Sequence, residues 1–324
     1  MKKILVTGAA GYIGSVLVRQ LLDKGYSVRG LDLLNFGGES LVSIFNHPSF
    51  EFLKGDVRIE SDIQKAIDGV DGIVHLAAIV GDPACAKEPE VAESTNWAGS
   101  KLIFDLANKN ESVKRFIFAS TCSNYGKMQG DGFVDENSEL NPVSLYAQLK
   151  VKFEKHLLES EIRNDFIPTA LRFSTVYGLS PRIRFDLTVN EFVREIAVGN
   201  ELLIFGEQFW RPYCHVDDLA RACITVLESQ EHKVKQNVFG VGDTNENYQK
   251  KMLADEILKI IPDAKIKYVK RDEDPRDYRV DFSKIKNELG FKITKSVPDG
   301  INEINNIIKN GILSNPFSDN YKNI

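Results

Sequence analysis

The chain has 324 residues, 43% of them hydrophobic and 27% charged, which is enough for one large domain or two moderate ones. A net charge of −5, without a long basic block, argues against nonspecific nucleic-acid binding, and no apolar run reaches membrane-spanning length. Four cysteines without paired spacing, five histidines without a metal-ligand pattern, and a start directly in a strand predict a cytoplasmic protein with no signal peptide and no structural metal.

The amino-terminal stretch has the pattern of a strand, a helix and a second strand. Residues 3–7 and 26–32 are apolar runs of strand length, as expected for strands buried on both faces. Gly8, Gly11 and Gly14 follow the first strand at three-residue spacing. Gly8 permits a sharp turn, Gly11 lets a diphosphate approach the backbone, and Gly14 lets the helix pack closely on the sheet.

Asp32 ends the second strand, where its carboxylate can accept hydrogen bonds from an adenosine ribose. Its negative charge would repel the additional phosphate of NADP, so NAD is the predicted cofactor. The helix after the glycines offers free N–H groups and a positive dipole end to phosphates. A tight turn without a ligand is the alternative for the glycines alone, and the acid at the second strand favours the nucleotide.

Short apolar strands continue to alternate with helices up to Gly178. Strands are predicted at 50–53, 72–78, 115–120 and 166–173, and helices at 62–66 with Ser61 or Asp62 as cap, at 91–109, from Ser144 onward, and in a short segment that ends near 47. The loop 79–89 is predicted to be irregular. This alternation is typical of an α/β protein with a doubly wound parallel sheet, the Rossmann fold.

Beyond Gly178 the alternation is looser. Helices are predicted at 187–198, 216–228, 247–261 and around Ile285 and Ile304, and strands at 201–205, 213–216, 266–269 and, in the main sheet, 237–241. We therefore predict a Rossmann domain of residues 1–178 and 213–242, and a smaller mixed α/β domain of residues 179–212 and 243–324 that binds the substrate. The polar tail 314–324 is predicted to be loosely held.

Tyr146 and Lys150 lie four residues apart on one predicted helix and so share a face. An ordinary tyrosine, with a pKa of about 10, is a poor base at neutral pH. A neighbouring lysine cation and the positive nicotinamide ring of an oxidised cofactor would lower that pKa. Lys150 can also bond the nicotinamide ribose, and Thr121, at the mouth of the fifth strand, can bond the substrate oxygen.

Together these three residues would remove a hydroxyl proton while a hydride leaves the same carbon. A Tyr-x-x-x-Lys pair also arises by chance, and its alternative is an exposed lysine beside a surface tyrosine. The position of the pair, one loop after the fifth strand, favours catalysis because ligands bind at the carboxyl ends of parallel strands.

Several motifs occur along the chain in a fixed order. They are Thr-Gly-Ala-Ala-Gly-Tyr-Ile-Gly (7–14), Gly-Asp-Val (55–57), His-Leu-Ala-Ala (75–78), Asn96, Ser-Thr-Cys-Ser-Asn-Tyr-Gly (120–126), Tyr146 with Lys150, Leu-Arg-Phe-Ser-Thr-Val-Tyr-Gly (171–178) and His-Val-Asp-Asp-Leu-Ala (215–220). With these motifs the chain resembles the extended short-chain dehydrogenases/reductases, in the NAD-dependent sugar-nucleotide epimerase/dehydratase family, over essentially its full length.

The resemblance implies further site residues. For NAD it implies Gly8, Gly11, Tyr12, Ile13, Gly14, Asp32, Asp56, Val57, Leu76, Ala77, Ala78, Asn96, Ser120, Tyr146 and Lys150. For a nucleotide sugar, linked to UDP, GDP, dTDP or CDP, we predict Val80, Thr121, Ser123, Asn124, Thr175, Arg182, Asn190, Arg211 and Arg276. The arginines suit the diphosphate because a planar guanidinium binds phosphate oxygens in pairs, although a surface salt bridge is the alternative for each. A homodimer through the helices at 91–109 and 145–160 is also implied.

The two residues after Thr121 limit which reactions of this family the chain is expected to catalyse. The resemblance implies that 4,6-dehydratases carry an Asp-Glu pair at the positions of Cys122 and Ser123, that decarboxylases keep a Glu at the second, and that 3,5-epimerases have a cysteine there. This chain has none of these, and Cys122 is expected to be a small buried residue. Oxidation at sugar C4 and its reversal remain, so a nucleotide-sugar 4-epimerase is predicted.

Two alternatives stay open. Thr175 stands where many 4-epimerases have an asparagine, and the segments 78–85, 180–182 and 274–278 resemble a bacterial branch that oxidises a GDP-heptose at C4. A one-way C4 dehydrogenase or a 4-ketoreductase is therefore the second reading. A non-catalytic NAD-sensing regulator is the third, and retention of the Thr–Tyr–Lys set disfavours it.

Overall fold

The structure is a computed structural model that describes residues 2–128, 130, 132–270 and 276–323. Its strands are β1 (Lys3–Thr7), β2 (Ser27–Asp32), β3 (Phe50–Lys54), β4 (Gly72–His75), β5 (Arg115–Thr121), β6 (Ile167–Phe173), β7 (Thr175–Tyr177), β8 (Leu202–Phe205), β9 (Trp210–His215), β10 (Asn237–Val241), β11 (Asn247–Gln249) and β12 (Ile266–Val269). The α-helices are α1 (Tyr12–Asp23), α2 (Glu60–Ile67), α3 (Asp82–Lys87), α4 (Pro89–Glu93), α5 (Ser100–Lys109), α6 (Leu145–Glu159), α7 (Thr188–Ala197), α8 (Val216–Glu228), α9 (Glu231–Val234), α10 (Lys250–Ile260), α11 (Ser283–Leu289) and α12 (Val297–Lys309).

Seven strands form one parallel sheet in the order β10-β6-β5-β4-β1-β2-β3. The chain runs from β1 outward to β3 and then returns to place β4 on the other side of β1. In a doubly wound sheet this reversal opens a crevice at the carboxyl ends of the strands. The predicted α/β Rossmann fold, with β10 in the main sheet, is confirmed.

Both faces of the sheet are covered by helices, which explains why its strands are apolar throughout. One apolar cluster packs under α1 and α8 and includes Leu17 and Leu219, both fully buried. The cluster on the opposite face packs under α2, α5 and α6 and includes Ile63 and Phe153. Each such side chain contributes about 1.5–3 kcal/mol when buried.

The smaller part of the molecule has its own core beneath α7, α10 and α12, with two short sheets of order β11-β9-β7 and β12-β8. In the first of these, β7 and β9 run parallel and β11 is antiparallel, so this region is mixed, as expected. Because β7 directly follows β6 of the main sheet, it joins the two regions. The exact domain boundaries stay a prediction.

Several local predictions were wrong. The loop 79–89 contains α3, and its Pro83 suits a first helical turn because proline lacks an N–H that would be unpaired there anyway. Residues 247–249 are a strand, so the helix predicted from 247 begins at Lys250. Helix α2 begins at Glu60 without a side-chain cap.

The carboxyl-terminal tail is tied down, contrary to the prediction. The N–H of Phe185 donates to the carbonyl oxygen of Tyr321 at 2.8 Å, and the Tyr321 ring meets the Phe185 ring edge-on at 5.7 Å. The tail thus packs on the segment that follows β7. No helix in the described part of the chain combines the length and the apolar character needed to span a membrane.

Candidate active site

A cavity of about 500 Å³ opens at the carboxyl ends of the central strands, between the two regions of the molecule. This volume is typical of a small-molecule site. The cavity brings together most of the predicted site residues: Gly8, Gly11, Tyr12, Ile13, Gly14, Asp32, Asp56, Val57, Leu76, Ala77, Ala78, Val80, Ser120, Thr121, Ser123, Tyr146, Lys150, Thr175, Arg182 and Arg276. Four others lie outside it: Asn96, Asn124, Asn190 and Arg211.

The glycine turn is formed by very close backbone contacts. Gly8 has φ +73°, and a Cβ on it would lie 2.9 Å from the nitrogen of Ala77. A Cβ on Gly14 would lie only 2.0 Å from the carbonyl oxygen of Gly8. A side chain at either glycine would therefore clash with the turn, and its absence leaves the amino terminus of α1 open to a diphosphate.

The carboxylate of Asp32 is fixed at the end of β2. It accepts hydrogen bonds from the N–H of Ala10 at 3.0 Å and of Leu34 at 2.8 Å. Burial raises the pKa of Asp32, and the backbone N–H groups act in the opposite direction. This geometry suits a carboxylate that receives ribose hydroxyls. Nearby, the Nε of Arg58 bonds Asp56 at 2.9 and 3.0 Å, and this pairing lowers the pKa of Asp56.

Helix α6 carries Tyr146 and Lys150 into the cavity and is capped by Ser144, whose hydroxyl accepts from the N–H of Ala147 at 3.3 Å. The Nζ of Lys150 donates to the carbonyl oxygen of Ala119 at 2.7 Å and lies 5.9 Å from the centre of the Tyr146 ring. Burial lowers the pKa of Lys150 to about 8. Its charge is therefore easily lost just above neutral pH.

Tyr146 and Thr121 line the same cavity, which brings two of the predicted catalytic residues together. Burial raises the pKa of Tyr146, and the neighbouring Thr121 hydroxyl only partly opposes this effect. In the protein alone the tyrosine is thus protonated at neutral pH. The expected lowering of its pKa by an oxidised cofactor stays a prediction.

A buried polar network lies beneath Thr121 and explains the position of Asn124. The Ser120 hydroxyl donates to Glu154 at 2.6 Å, and the Asn124 amide donates to Ser120 at 3.1 Å. Glu154 pairs with Arg172 at 2.6 Å, with both side chains at most 4% exposed. Asn124 therefore supports the wall of the cavity from behind and does not face it, unlike the predicted role.

Asn96 and Asn190 also brace the backbone from outside the cavity. Asn96 lies in a π-helical turn (Ser94–Gly99) between α4 and α5, and its amide exchanges two 2.8 Å hydrogen bonds with the backbone of Ile79. The Asn190 amide oxygen accepts from the N–H of Gly178 at 3.0 Å. Sequence motifs locate such residues but do not tell whether they touch the ligand.

Of the two arginines that the resemblance assigns to the substrate diphosphate, Arg276 lines the cavity and Arg211 lies outside it. Arg276 pairs with Asp82 at 3.0 Å, and Asp82 also accepts from the Ser144 hydroxyl at 2.6 Å. Arg211 is 8% exposed and packs over the Tyr278 ring at 5.5 Å, outside the cavity. Of the predicted segment 274–278, only residues 276–278 can be placed, because residues 274 and 275 lie outside the described residues.

Sequence reasoning missed other lining residues: Phe36, Arg58, Asp186 and Asn323. Asp82 and Tyr278, which also line the cavity, lie within the segments 78–85 and 274–278 singled out from the sequence, and Arg184 forms a basic cluster with Arg182 in the sequence. The Arg–x–Asp spacing of Arg184 and Asp186, which form a bidentate pair at 2.9 and 2.7 Å, could have indicated a local ion pair. Nothing in the sequence signalled Asn323, since its place depends on the folding of the tail.

Cys122 is buried, as predicted. It is 1% exposed, and its Sγ donates to the carbonyl oxygen of Arg172 at 3.3 Å. Burial raises the pKa of the Cys122 thiol. Ser123 and Tyr278 both line the cavity. Positions 122 and 123 therefore offer no ionised acid or base to the cavity.

The glycine turn, the acid at the end of β2 and the Tyr–Lys pair at the strand-order reversal are features of a Rossmann-fold protein that binds a dinucleotide. Residues 4–242 match the NAD dependent epimerase/dehydratase family, and the chain belongs to this family. NAD is accordingly the cofactor, and the open glycine turn and the fixed Asp32 carboxylate fit it.

Relatives and solved structures carry several names within this family. The chain is 31% identical over 319 residues to YtcB of Bacillus subtilis, named an uncharacterized UDP-glucose epimerase, covering 93% of this chain and 96% of the other. The UDP-glucose 4-epimerase of Thermotoga maritima, solved with UDP-glucose, has 28% identity and a TM-score of 0.84, with 96% and 100% covered. The dTDP-glucose 4,6-dehydratase of Bacillus anthracis, solved with NAD, has 25% identity and the same TM-score of 0.84, with 96% and 98% covered.

Proposed function

We propose that the protein is a nucleotide-sugar 4-epimerase, which oxidises a hydroxyl at sugar C4 and then reduces the ketone from the opposite face. The observation that carries this proposal is that Thr121, Tyr146 and Lys150 line one cavity together, whereas the neighbouring positions 122 and 123 offer it no carboxylate. This set can move one proton and cannot readily expel water. Relatives named UDP-glucose 4-epimerase support the same reaction.

NAD supplies a hydride acceptor and donor when it is bound. Thr121 would hold the C4 oxygen by a hydrogen bond, and Tyr146 would take the hydroxyl proton and later return it. The ammonium of Lys150, positioned by Ala119, would stabilise the phenolate of Tyr146. Because one tyrosine serves oxidation and reduction alike, no further acid or base is needed.

We propose that Arg276 binds the diphosphate of the substrate, with Arg211 behind it, and that Val80, Ser123 and Thr175 line the sugar end. A guanidinium suits this role because it offers paired donors to phosphate oxygens. The ion pair of Arg276 with Asp82 would have to exchange for the phosphate.

A one-way C4 dehydrogenase or a 4-ketoreductase is the second candidate. It is favoured by Thr175, which lines the cavity where many 4-epimerases have an asparagine. A hydroxyl reaches less far than an amide and would leave the substrate held differently. A regulator that senses NAD without turnover is disfavoured, because Tyr146 and Lys150 are assembled in the cavity with Thr121.

We also propose a homodimer through the helices at 91–109 and 145–160. Ile103 is fully buried in the core, whereas Leu102 and Leu106 are partly exposed on α5 and are available to a second copy. Sedimentation equilibrium of the purified protein tests this directly. A monomer at micromolar concentration would contradict it.

The reaction is tested by incubating the purified protein with UDP-, GDP-, dTDP- and CDP-sugars without added cofactor, followed by mass spectrometry and proton NMR. An unchanged mass with inverted C4 is the expected result. Loss of two hydrogens with stoichiometric NADH would instead establish a dehydrogenase. Loss of water would contradict the elimination based on Cys122 and Ser123.

A further inference from the structure

The guanidinium of Arg182 is buried, and only one of its three nitrogens has a hydrogen-bond partner among the described residues. The side chain lines the cavity, the residue is 7% exposed, and its Nη2 donates to the carbonyl oxygen of Lys322 at 2.8 Å. Its Nε and Nη1 are also buried, yet neither has a hydrogen-bond partner among the described residues. Leaving charged donors buried and unbonded is costly, so this arrangement suits a site that receives an anion.

The other arginines that line the cavity differ from Arg182, because each is matched by a carboxylate. These pairs are Arg58 with Asp56, Arg184 with Asp186 at 2.7 Å, and Arg276 with Asp82 at 3.0 Å. Arg182 forms no ion pair within the described ranges. Burial and the neighbouring charge of Arg184 lower the pKa of Arg182 to about 10, in line with a cation that lacks a counter-ion.

Arg182 lies at the end of the cavity that is formed by the loop after β2. Its guanidinium lies 4.6 Å from the centre of the Phe36 ring, four residues beyond Asp32. Ser180, two residues earlier, donates its hydroxyl to the carbonyl oxygen of Tyr12 at 2.7 Å, in the first turn of α1. Arg182 therefore lies against the loop after β2, and the segment that carries it packs on the first turn of α1, where NAD is expected to bind.

The tail holds this segment in place. The N–H of Asn323 donates to Asp186 at 3.1 Å, and the carbonyl oxygen of Tyr321 accepts from Phe185, so three successive tail residues contact residues 182–186. The Lys322 carbonyl fixes one side of the guanidinium. The remaining donors are thereby left for a ligand.

We infer that Arg182 binds the diphosphate of the cofactor, and that the carboxyl-terminal tail is part of the cofactor site because it positions this side chain. This replaces the expectation that Arg182 serves the substrate, and it rests on the binding of NAD at the glycine turn. NAD and a nucleotide sugar both carry a diphosphate. The contacts with Phe36 and the first turn of α1 favour the former.

The test is calorimetric titration of NAD, UDP and adenosine into nucleotide-free protein. In Arg182→Gln we expect the Kd for NAD to rise by about tenfold or more, as loss of a charge-assisted hydrogen bond predicts. The Kd values for UDP and adenosine should change less than about twofold, by the same reasoning. The matched control is Lys259→Gln, which removes one positive charge from an exposed side chain on α10 that does not line the cavity, and its affinities should be unchanged.

Two further variants guard against loss of folding. Arg182→Lys keeps the charge without the planar fork and should recover part of the NAD affinity, and Tyr321→Ala should lower NAD affinity through the loosened tail alone. Thermal unfolding of every variant accompanies the titrations. Weakened UDP binding with unchanged NAD binding would overturn the inference in favour of a substrate role, and unchanged binding of both would overturn any diphosphate role. Failure of the unmodified protein to bind NAD would contradict the cofactor site itself.

Discussion

The two ends of the cavity are constructed by different means. At the cofactor end, the backbone of the glycine turn approaches itself so closely that a Cβ on Gly14 would lie 2.0 Å from the carbonyl oxygen of Gly8. At the end where we propose that the substrate binds, the walls include ion pairs between distant segments, such as Asp82 with Arg276. Backbone shape thus contributes mainly at the first end, and side-chain charge contributes at both.

This difference has a consequence for specificity. A backbone turn excludes every side chain and so admits one kind of ligand group, a diphosphate at a helix terminus. An ion pair can be exchanged at modest cost, because exposed or partly exposed pairs contribute only about 0–1 kcal/mol. The cofactor end is therefore suited to one constant ligand, and the substrate end can be altered by substitution of single charges.

The largest expected effect is at the junction of the two ends. Tyr146→Phe should lower turnover by about 10²- to 10⁴-fold, because it removes the proton-transfer group. NAD affinity should stay unchanged, since both ends of the cavity are intact. Turnover is measured with the sugar nucleotide identified by NMR, and Tyr26→Phe, which changes a half-buried tyrosine outside the cavity that bonds to Glu228, is the control. Normal turnover would eliminate the proposed mechanism.

The cofactor end should not tolerate a single added carbon. Gly14→Ala should abolish measurable NAD binding, since α1 would be pushed off Gly8, and should lower the free energy of unfolding by about 1–3 kcal/mol. Calorimetry and urea unfolding measure the two effects. Gly132→Ala is the control, because a Cβ there meets no atom within 4 Å. Tight NAD binding by Gly14→Ala would show that the turn is not the diphosphate site.

Charged groups connect helix α12 of the smaller region to the end of β9, and the pH dependence of the free energy of unfolding should reveal their contribution. Glu303 on α12 bonds His215 at 2.9 Å, and although burial raises its pKa, the bonds to His215 and Lys295 lower it to about 2. The resulting stabilisation is present above the ordinary pKa of about 4.5 and is lost as the pH falls toward 2.

Glu303→Gln should therefore lower the free energy of unfolding at pH 7 by about 2–3 kcal/mol. The difference from the unmodified protein should shrink as the pH falls below about 4.5. Denaturant unfolding at several pH values gives both quantities. Glu139→Gln, at an exposed position, should show no such difference. A difference in the free energy of unfolding that stays constant with pH would mean that Glu303→Gln removes packing contacts and not a charge interaction.

The smallest effect is expected at Cys122. Cys122→Ser should change turnover by less than about threefold, because a serine hydroxyl can still donate to the Arg172 carbonyl and the thiol is not an ionised base. The control is Cys223→Ser, in the core beneath α8. A loss of turnover by about a hundredfold in the first variant alone would show that the thiol takes part in the reaction, as general acid–base groups do.

The sequence allows prediction of the parts of the site that depend on local backbone form. The turn at Gly8 to Gly14, the acid Asp32 and the helix capped by Ser144 all lie where the pattern places them, because strand, turn and cap signals are local. Helix α3 was missed although Pro83 in its first turn is a recognised start signal, since Gly81 and Pro83 together also indicate a loop.

The remaining parts depend on contacts between distant residues. Asn124 lies in a family motif and Asn190 was predicted to bind the substrate, but both side chains are turned into the interior by bonds to residues such as Ser120 and Gly178. Asn323 joins the cavity only because the tail packs on Phe185. No periodicity in the sequence records such pairings, so they require the folded structure.

The buried pair of Glu154 and Arg172 has a consequence for how this chain can vary. Removing one partner would leave the other charged and unpaired in the interior, at a cost of about 3–5 kcal/mol, whereas replacing both by apolar residues can be neutral. Natural substitutions at positions 154 and 172 should therefore occur together, and an intermediate with one change would be purged. Ser120 and Asn124, which bond to the same carboxylate, would have to change along with them. We therefore expect the four residues of this network beneath Thr121 to vary together among related sequences.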